Sequence, residues 1–182
     1  HANQIGEIWV TGNSVSSGYW RREDLNKDVF ELSVLHAMPS AKFFRTGDLG
    51  FIRDNELFVN GRIDDLIAIQ GKQYYPQFIE DTATRSHELI ALGAVVAFSV
   101  EQDQGQSLVI IAELSRQGVK KLRGDRMAIE VIACINAAIY SAFELEPFSV
   151  CLLAPGKVLK TSSGKLRRSA NKKAWRKNDF DS

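Results

Sequence analysis

Short runs in which apolar and polar residues alternate mark the first third of the chain. They cover residues 7–10, 49–53 and 56–60, and only Asp54 and Asn55 separate the last two runs. A period of two is typical of half-buried strands, and a pair of turn-forming residues between two such runs predicts a hairpin. This part of the chain is therefore predicted to be rich in β-structure.

Residues 21–43 have no clear hydrophobic period. We expect only a short helix near residues 24–30 and a loop that carries Pro39, and the rest of this stretch stays unassigned. After it, Asp64 and Asp65 interrupt the β pattern before an apolar run resumes. Adjacent carboxylates between two apolar runs indicate a boundary, which we expect just before Asp64.

Helix and strand signals follow one another in the remainder of the chain. Pro76 suits the first turn of a helix, because the N–H that proline lacks would have no partner there, and we expect this helix to run to about His87. Two β-branched runs, residues 94–100 and 108–114, predict a second hairpin, and residues 150–153 predict a last strand.

An apolar stripe predicts the longest helix, over residues 127–144. Its members recur every three or four residues, as the apolar face of an amphipathic helix does: Ala128, Ile132, Ile135, Ile139 and Phe143. A basic helix is expected from about Lys165 to Trp175. Strands and helices segregated in this way predict the α+β class, with a β-rich segment over residues 1–63 and a compact module, a short sheet flanked by helices, over residues 64–182.

The overall composition is that of an ordinary globular protein. Of 182 residues, 45% are hydrophobic and 25% are charged, and the net charge of +1 gives no strong overall field towards nucleic acid or a membrane. No run approaches the ~20 apolar residues of a membrane span, and the first residues lack a secretory signal, so we expect a cytoplasmic protein without a span. Cys134 and Cys151 lack metal-ligand spacing and are expected to be buried free thiols.

The charge is distributed unevenly along the chain. Residues 147–182 contain nine Lys or Arg and two Asp or Glu, a net charge of +7, whereas residues 64–146 have a net charge of −5. A basic segment of this kind is either a solvated surface or one that attracts an acidic partner. The charge alone does not distinguish these interpretations.

Two glycine-bearing segments resemble phosphate loops without completing the pattern. Residues 12–18 combine glycines with serines, but the lysine of a P-loop is absent. In the second segment, Gly156 and Gly164 are too far apart for that motif, and Leu166 stands where a Ser or Thr is required. We therefore exclude a P-loop nucleotide site.

Three other segments combine residue types that suit a nucleotide. Residues 45–48, Arg-Thr-Gly-Asp, put the carboxylate of Asp48 at a tight turn, where an ionised acceptor can take two ribose hydroxyl protons. Arg62 follows the predicted hairpin and adds a cation near the same turn. Residues 160–167 form a glycine-bearing loop that carries Lys165 ahead of the basic helix. Each segment alone is a common surface feature, so their combination and order carry the information.

In this order the motifs resemble those of the adenylate-forming enzymes, the superfamily of acyl-CoA synthetases, peptide-synthetase adenylation domains and luciferases. The similarity extends over nearly the whole chain and is carried by Gly6 to Val10 with Gly18 to Trp20, Arg45 to Asp48, Gly61 to Asp65, and Thr161 to Lys165. Within the superfamily, Tyr75-Pro76-Gln77 is similar to the signature of the fatty acyl-AMP ligases.

The resemblance implies a role for each motif. In these enzymes a carboxylate attacks the α-phosphorus of ATP, giving acyl-AMP and pyrophosphate, and the catalytic residue would be Lys165, whose charge stabilises the transition state. Asp48 would bind the ribose hydroxyls, and Arg62 would support the same nucleotide. Asp64 would be the hinge about which the C-terminal domain turns. No metal ligand is implied for this chain.

The same resemblance implies what the chain lacks. The triphosphate loop, the residues that hold adenine and Mg²⁺, and the acyl pocket belong to a large N-terminal domain. Residues 1–63 would be the last, β-rich subdomain of that domain, and residues 64–182 would be the mobile C-terminal domain. ATP and Mg²⁺ are then cofactors of the full-length enzyme, none is expected to be bound to this chain, and the chain alone is expected to be inactive.

The implied substrate is a fatty acid, and the implied acceptor is the pantetheine thiol of an acyl carrier protein or of a carrier domain in a polyketide or peptide synthase. Carrier proteins are generally acidic, so the basic C-terminal segment could steer their encounter. Tyr74 and Tyr75 could line the path of the thiol, although aromatic residues ahead of a helix are more often packing residues. The tryptophans are expected in or over the core, and two histidines receive no catalytic role: Trp9, Trp20, Trp175, His36 and His87.

Two alternatives remain open. Residues 75–77 disfavour a CoA-forming ligase of the same superfamily, and full-length enzyme supplied with fatty acid, ATP and either CoA or carrier protein would distinguish the two. A nucleic-acid or protein-binding module could instead use the basic C-terminal helix. That predicted helix offers one aromatic residue, Trp175, which is too few for base stacking. A steep salt dependence of RNA or DNA retention would favour this second alternative.

Overall fold

The computed structural model describes residues 4–34, 38–103, 105–121 and 125–180. The chain divides into two compact units, His1–Asp64 and Asp65–Ser182. Each unit contains both strands and helices, so the fold belongs to the α+β class that the sequence predicts.

The first unit is built around one long strand. Its elements in chain order are β1 (Gly6–Val10), α1 (Glu23–Phe30), β2 (Leu32–Val34), β3 (Met38–Arg53) and β4 (Glu56–Arg62). The strands β1, β2 and β4 all pair with β3, and all three pairings are antiparallel. Helix α1 lies against β3 and β2.

The predicted hairpin at Asp54 and Asn55 is confirmed. Both residues have a positive φ, 49° and 65°, which is the conformation that a two-residue turn between twisted strands requires. Helix α1 is also confirmed, but the expected loop around Pro39 is wrong, because β3 already begins at Met38. A proline near the first residue of a strand is tolerated, since the N–H that it lacks is needed mainly in the strand interior.

Aromatic contacts hold the first unit together. Phe30 of α1 stacks on Phe44 at 4.8 Å between ring centroids and meets Tyr19 edge to face at 5.2 Å. The expectation that Trp20 covers a core is wrong: the residue is 86% exposed. Trp20 lies in the turn before α1, and the next residue, Arg21, has a φ of 55°. The guanidinium carbon of Arg21 lies 5.7 Å from the centre of the Trp20 indole ring.

The second unit contains two small sheets and four helices among its described residues. A 3₁₀ turn at Ile63–Asp65 precedes β5 (Ile67–Ile69), β6 (Lys72–Tyr74), α2 (Pro76–Arg85), β7 (Ile90–Gln102), β8 (Gly105–Leu114), α3 (Arg116–Lys121), α4 (Asp125–Phe143), β9 (Ser149–Leu153) and α5 (Arg168–Lys177). The strands β5 and β6 form a hairpin, and β7, β8 and β9 form the larger sheet. In that sheet β7 is antiparallel to β8, and β9 is parallel to it.

Helices cover both faces of the larger sheet. Because side chains alternate across a strand, Val95 and Ala97 of β7 belong to one core cluster and Val96 and Phe98 to the other. The first cluster includes buried residues of α2 and α4, namely Ile79, Ala83, Val131, Ile135 and Ile139. The second includes Val158 and is covered by Leu166 and Trp175, the latter lying 6.1 Å from the ring of Phe98.

Helix α4 is confirmed, although its buried face is rotated from the predicted stripe. Val131, Ile135 and Ile139 are fully buried, whereas Ala128 and Ile132 are half-buried. By length and composition alone the segment from Arg126 to Phe143 could cross a membrane, a test that the core helix of a soluble protein also passes.

Three further expectations need correction or fall outside the described residues. Helix α5 begins at Arg168 instead of Lys165, because the backbone around Lys165 is bonded into a separate turn. Cys134 and Cys151 are free, but they are half-buried instead of buried. The second predicted hairpin is confirmed by the antiparallel pairing of β7 with β8. His36 and Gln104 lie outside the described residues.

Candidate functional site

Residues 45–48 were expected at a tight turn between elements, but they lie inside strand β3, where its register with β1 shifts. One hydroxyl group holds this local irregularity, which we call the Arg-Thr-Gly-Asp turn. Thr46 Oγ1 donates to the carbonyl oxygen of Ile8 at 2.8 Å and accepts the backbone N–H of Asp48 at 2.9 Å. Gly47 between them has a φ of 73°, which glycine adopts without the steric cost that a β-carbon brings. The side chain of Thr46 therefore fixes the backbone position of Asp48 relative to β1.

Asp48 and Arg62 are directly opposite each other in the β3–β4 ladder. Arg62 Nη1 donates to Asp48 Oδ1 at 3.3 Å, and Arg62 Nη2 lies 3.8 Å from Asp64 Oδ2. Asp48 is partly exposed and Asp64 is well exposed, and one bond to Arg62 leaves the second oxygen of Asp48 able to accept further hydrogen bonds. The structure thus brings three of the four sequence-predicted residues together around one guanidinium.

A carboxylate that the sequence analysis overlooked supports the same turn. Glu7 of β1 accepts Arg45 Nε with both oxygens, at 2.7 and 2.8 Å, and also accepts Trp9 Nε1 at 3.1 Å. Partial burial acts to raise the pKa of Glu7, but the hydrogen bonds from Arg45 and Trp9 outweigh it and hold this pKa below its usual value. No sequence signal indicated this pair, because Arg45 lies in none of the predicted β runs and only the β1–β3 ladder places it opposite Trp9.

Most of these groups, but not Asp48, border an open pocket of about 600 Å³ within the first unit. Its polar wall comes from the turn and from the end of β4, and its apolar wall from α1 and the segment before it. The lining includes Arg45, Thr46, Gly47, Arg62, Asp64 and Tyr19. Three arginines, Arg22, Arg45 and Arg62, line this pocket together with two acidic residues, Glu7 and Asp64, and apolar side chains of α1. A surplus of guanidiniums beside apolar surface suits a nucleoside bearing an anionic group.

Lys165 is presented by a tight hairpin in the second unit. Lys160 and Leu166 form an isolated antiparallel bridge, and the Thr161 N–H donates to the carbonyl oxygen of Lys165 at 2.8 Å. The Lys165 N–H in turn donates to Thr161 Oγ1 at 3.0 Å. The side chain of Lys165 is exposed, and its ammonium has no ion-pair partner among the described residues.

A buried asparagine braces the base of this hairpin. Asn171 of α5 is completely buried, accepts the Leu159 N–H at 3.0 Å, and donates to the carbonyl oxygens of Leu159 and Arg167 at 2.9 Å. One residue earlier, the Val158 N–H donates to the buried carboxylate of Glu113 at 3.0 Å. The backbone of Lys165 is therefore fixed at both ends of its loop, while its charged end is left in solvent.

The two tyrosines ahead of α2 make packing contacts. Tyr74 meets Phe143 edge to face at 6.2 Å, and Tyr75 meets Phe78 at 5.9 Å.

The described residues contain no group of three or more His, Cys, Asp and Glu side chains that could hold a metal ion. His87 Nδ1 accepts the N–H of Leu89, so that nitrogen caps a turn.

The α+β fold, the Asp48–Arg62 pair at its turn and the lysine on a braced hairpin define a module of the adenylate-forming enzymes. More particularly, the chain belongs to the family described as Disco-interacting protein 2-like, AMP domain, whose model matches residues 64–182.

Relatives and solved structures agree with this assignment. JamA of Moorena producens, a medium-chain-fatty-acid–[acyl-carrier-protein] ligase, is 39% identical over 92% of this chain and 28% of its own length. A 4-hydroxyphenylalkanoate adenylyltransferase of Mycobacterium tuberculosis is 35% identical over 98% of this chain and 29% of its own length. A solved fatty acyl-adenylate ligase, from work on the E. coli and L. pneumophila enzymes, superposes with a TM-score of 0.74 at 28% identity and covers 100% of this chain and 29% of its own.

The chain spans less than a third of the length of each of these relatives. Their similarity identifies the chain as part of an adenylate-forming ligase module.

Proposed function

We propose that this chain is the C-terminal part of a fatty acyl-AMP ligase. Residues 1–63 would complete a large N-terminal adenylation domain, and residues 64–182 would form its mobile C-terminal domain. The enzyme would activate a fatty acid with ATP to an acyl-adenylate and pass the acyl group to the pantetheine thiol of a carrier protein. The names of the relatives support the first step, and the acyl-carrier-protein ligase JamA supports the second.

The observation that carries the proposal is the exposed ammonium of Lys165 on a backbone that is fixed at both ends. When a carboxylate attacks the α-phosphorus of ATP, negative charge grows on the oxygens bound to phosphorus. A cation that is already oriented stabilises this charge more in the transition state than in the ground state. Lys165 would supply that cation and thus be the catalytic residue.

Asp48 and Arg62 would bind the nucleotide. The free oxygen of Asp48 can accept ribose hydroxyl protons while its other oxygen stays bonded to Arg62 at 3.3 Å. The guanidinium of Arg62 adds positive charge beside the bound nucleotide.

Asp64 would be the hinge about which the C-terminal domain turns between the two half-reactions. It stands at the division between the two compact units, and its carboxylate is well exposed. Its ion pair within the described residues is the 3.8 Å contact with Arg62, so rotation of the backbone at Asp64 breaks little. Such a rotation would withdraw Lys165 after adenylation and admit the thiol.

ATP with Mg²⁺ would be the cofactors of the full-length enzyme. Mg²⁺, when bound, would neutralise phosphate charge. The residues of this chain that fit the nucleotide are those already named in the turn and at the end of β4.

A basic surface on α5 would attract an acidic carrier protein. Lys173 and Lys177 lie one helical turn apart and are exposed, and together with Lys157 and Arg167 they border a pocket of about 260 Å³. Complementary charge of this kind raises the rate of encounter more than it raises the final affinity.

We also propose that the protein is cytoplasmic and that α4, which buries Val131, Ile135 and Ile139, is a core helix and not a membrane span.

Replacing Lys165 in the full-length protein tests this function. Lys165→Met keeps most of the apolar stem and removes the charge, so we expect pyrophosphate release with fatty acid and ATP to fall by about 10²- to 10³-fold. Lys160→Met, in the same loop, is the matched control and should retain nearly normal activity. Undiminished acyl-AMP formation by Lys165→Met would contradict the proposal, and the 182-residue chain alone should form no acyl-AMP.

The acceptor is tested with the same full-length protein. With fatty acid and ATP present, we expect acyl transfer to a pantetheinylated carrier protein and little acyl-CoA when CoA replaces it. Abundant acyl-CoA would instead identify a CoA-forming ligase.

A further inference from the structure

Arg168, the first residue of α5, makes a three-point contact with two carboxylates. Its Nε and Nη2 donate to the two oxygens of Glu80, both at 2.7 Å, and its Nη1 donates to Asp65 Oδ2 at 2.8 Å. Glu80 belongs to α2, and Asp65 ends the 3₁₀ turn. A planar guanidinium with a fixed fork of donors can satisfy both carboxylates at once, whereas a lysine ammonium cannot reproduce this geometry.

The contact is largely shielded from solvent. The side chain of Glu80 is 8% exposed and that of Arg168 is 21% exposed. Glu80 Oε1 also accepts the backbone N–H of Ala97 in β7, at 3.1 Å. The bonds to Glu80 raise the pKa of Arg168 despite the opposing effect of desolvation, and Asp65 adds to this rise. The network therefore joins α5, α2, β7 and the end of the 3₁₀ turn within the second unit.

The network connects two residues that lie close in sequence to the proposed functional residues Lys165 and Asp64. Arg168 follows Lys165 by three residues, and Asp65 directly follows Asp64. A continuous path of covalent and hydrogen bonds thus leads from the residue after the proposed hinge, through the guanidinium, to the second strand of the hairpin that presents Lys165.

We propose that Arg168 is a positioning residue for Lys165. By holding the start of α5 to Asp65 and Glu80, it would make the Lys165 hairpin turn as one body with the chain that leaves the hinge. Rotation at Asp64 would then deliver the ammonium to a defined point. This inference rests on the proposed function, because it presupposes that Lys165 acts in adenylation.

The alternative is that the network only stabilises the fold. The two explanations differ in the half-reaction that they affect. Misplaced Lys165 would slow acyl-AMP formation but not the attack of the thiol on acyl-AMP that is supplied ready-made, because Lys165 has no role in that step. A general loss of folded protein would lower both rates by the same factor.

The test uses the full-length protein with Arg168→Lys and Arg168→Gln. We expect kcat for pyrophosphate release to fall by about 10- to 100-fold with KM for ATP nearly unchanged, as for a catalytic group displaced by about an ångström. Transfer from supplied acyl-AMP to a carrier protein should stay within about twofold of normal. Arg85→Gln removes an exposed arginine from its pair with Asp81 on the same helix as Glu80, and it should leave both rates unchanged.

Asp65→Ala gives an independent arm of the test. It removes one of the three hydrogen bonds and leaves the bidentate pair with Glu80, so it decides the matter even if the Arg168 variants do not fold. We expect the same selective loss of pyrophosphate release. Equal losses in the two half-reactions, or unchanged adenylation in Asp65→Ala and in folded Arg168 variants, would overturn the inference. Lys165→Met is measured in parallel. If Lys165→Met still forms acyl-AMP at a normal rate, the proposed function is wrong. If Lys165→Met is inactive while the Arg168 and Asp65 variants form acyl-AMP normally, only the role of Arg168 is wrong.

Discussion

Asn171 and Leu159, which are twelve residues apart, form a reciprocal pair: the asparagine amide accepts the Leu159 N–H and donates to the Leu159 carbonyl oxygen, at 3.0 and 2.9 Å. The same amide group also donates to the carbonyl oxygen of Arg167. One completely buried side chain thus closes the loop that presents Lys165.

Asn171→Ala should destabilise the second unit. The change leaves the N–H of Leu159 without its bond to Oδ1 and removes two bonds to carbonyl oxygens, and we expect a loss of about 2 to 3 kcal/mol in the free energy of unfolding. Urea denaturation measures this loss. Asn13→Ala, at an exposed residue without a side-chain hydrogen bond in the described part of the chain, should change the stability by less than about 0.5 kcal/mol. A similar effect of the two substitutions would contradict the bracing role of Asn171.

Local elements were largely predictable from the sequence. The Asp54–Asn55 hairpin follows from two residues that tolerate positive φ between alternating runs, and α2 begins at Pro76 as predicted. The rotation of the buried face of α4 could not be predicted, because Val131 and Ile132 are adjacent apolar residues and only packing against the sheet decides which of them is buried.

Contacts between distant segments were not predictable. Arg168 and Glu80 are 88 residues apart, and each alone has the sequence context of an ordinary helix charge. The parallel pairing of β9 with β8 also depends on how the chain returns over the sheet, which no local pattern encodes. Only the rough proximity of Asp48 and Arg62 was predictable. The two-residue turn sets a register in which Asp48 would face Gly61, and an irregularity between Leu49 and Gly50 shifts the pairing by one residue so that Arg62 lies opposite.

Gly47→Ala should affect the Asp48–Arg62 pair as well as stability. Gly47 has a φ of 73°, and an added β-carbon would lie 3.1 Å from Arg62 Nη2. We expect a loss of about 1 to 2 kcal/mol from the left-handed backbone, together with weaker ATP binding by the full-length protein because Arg62 is displaced.

Gly156→Ala is the matched control for this prediction. Gly156 has a φ of 85°, but nothing lies within 4 Å of an added β-carbon. It should show a similar loss of stability on thermal unfolding and normal ATP affinity by calorimetry. If Gly47→Ala binds ATP as well as Gly156→Ala does, Arg62 has no role in nucleotide binding.

The Glu7–Arg45 pair should make stability depend on pH in the acidic range. The pKa of Glu7 is lower in the folded protein than in the unfolded chain, where it is about 4.3. The stabilisation is therefore fully present above the unfolded pKa and is lost as the pH falls through the folded pKa. The difference in unfolding free energy between the wild type and Glu7→Gln should be constant above about pH 5 and should shrink below it.

Tryptophan fluorescence can follow this unfolding in a Trp175→Phe background, where Trp9 and Trp20 of the first unit give the signal. Glu56→Gln, at an exposed position at the start of β4, serves as the control and should not alter the pH profile. An equal difference between wild type and Glu7→Gln at pH 3 and pH 7 would rule out the proposed contribution of the ion pair.

The basic surface of α5 should accelerate transfer to an acidic carrier protein. In the full-length protein, Lys173→Glu combined with Lys177→Glu reverses two exposed charges on one helix face, and we expect kcat/KM for the carrier to fall by about tenfold at low salt. The deficit should vanish near 1 M salt, where the screening length is about 3 Å, and transfer to free pantetheine should be unaffected. Lys120→Glu, an exposed lysine of α3, is the control and should cause little change. A deficit that persists at high salt, or that extends to free pantetheine, would show that the two lysines act on the fold or on the chemistry and not on encounter with the carrier.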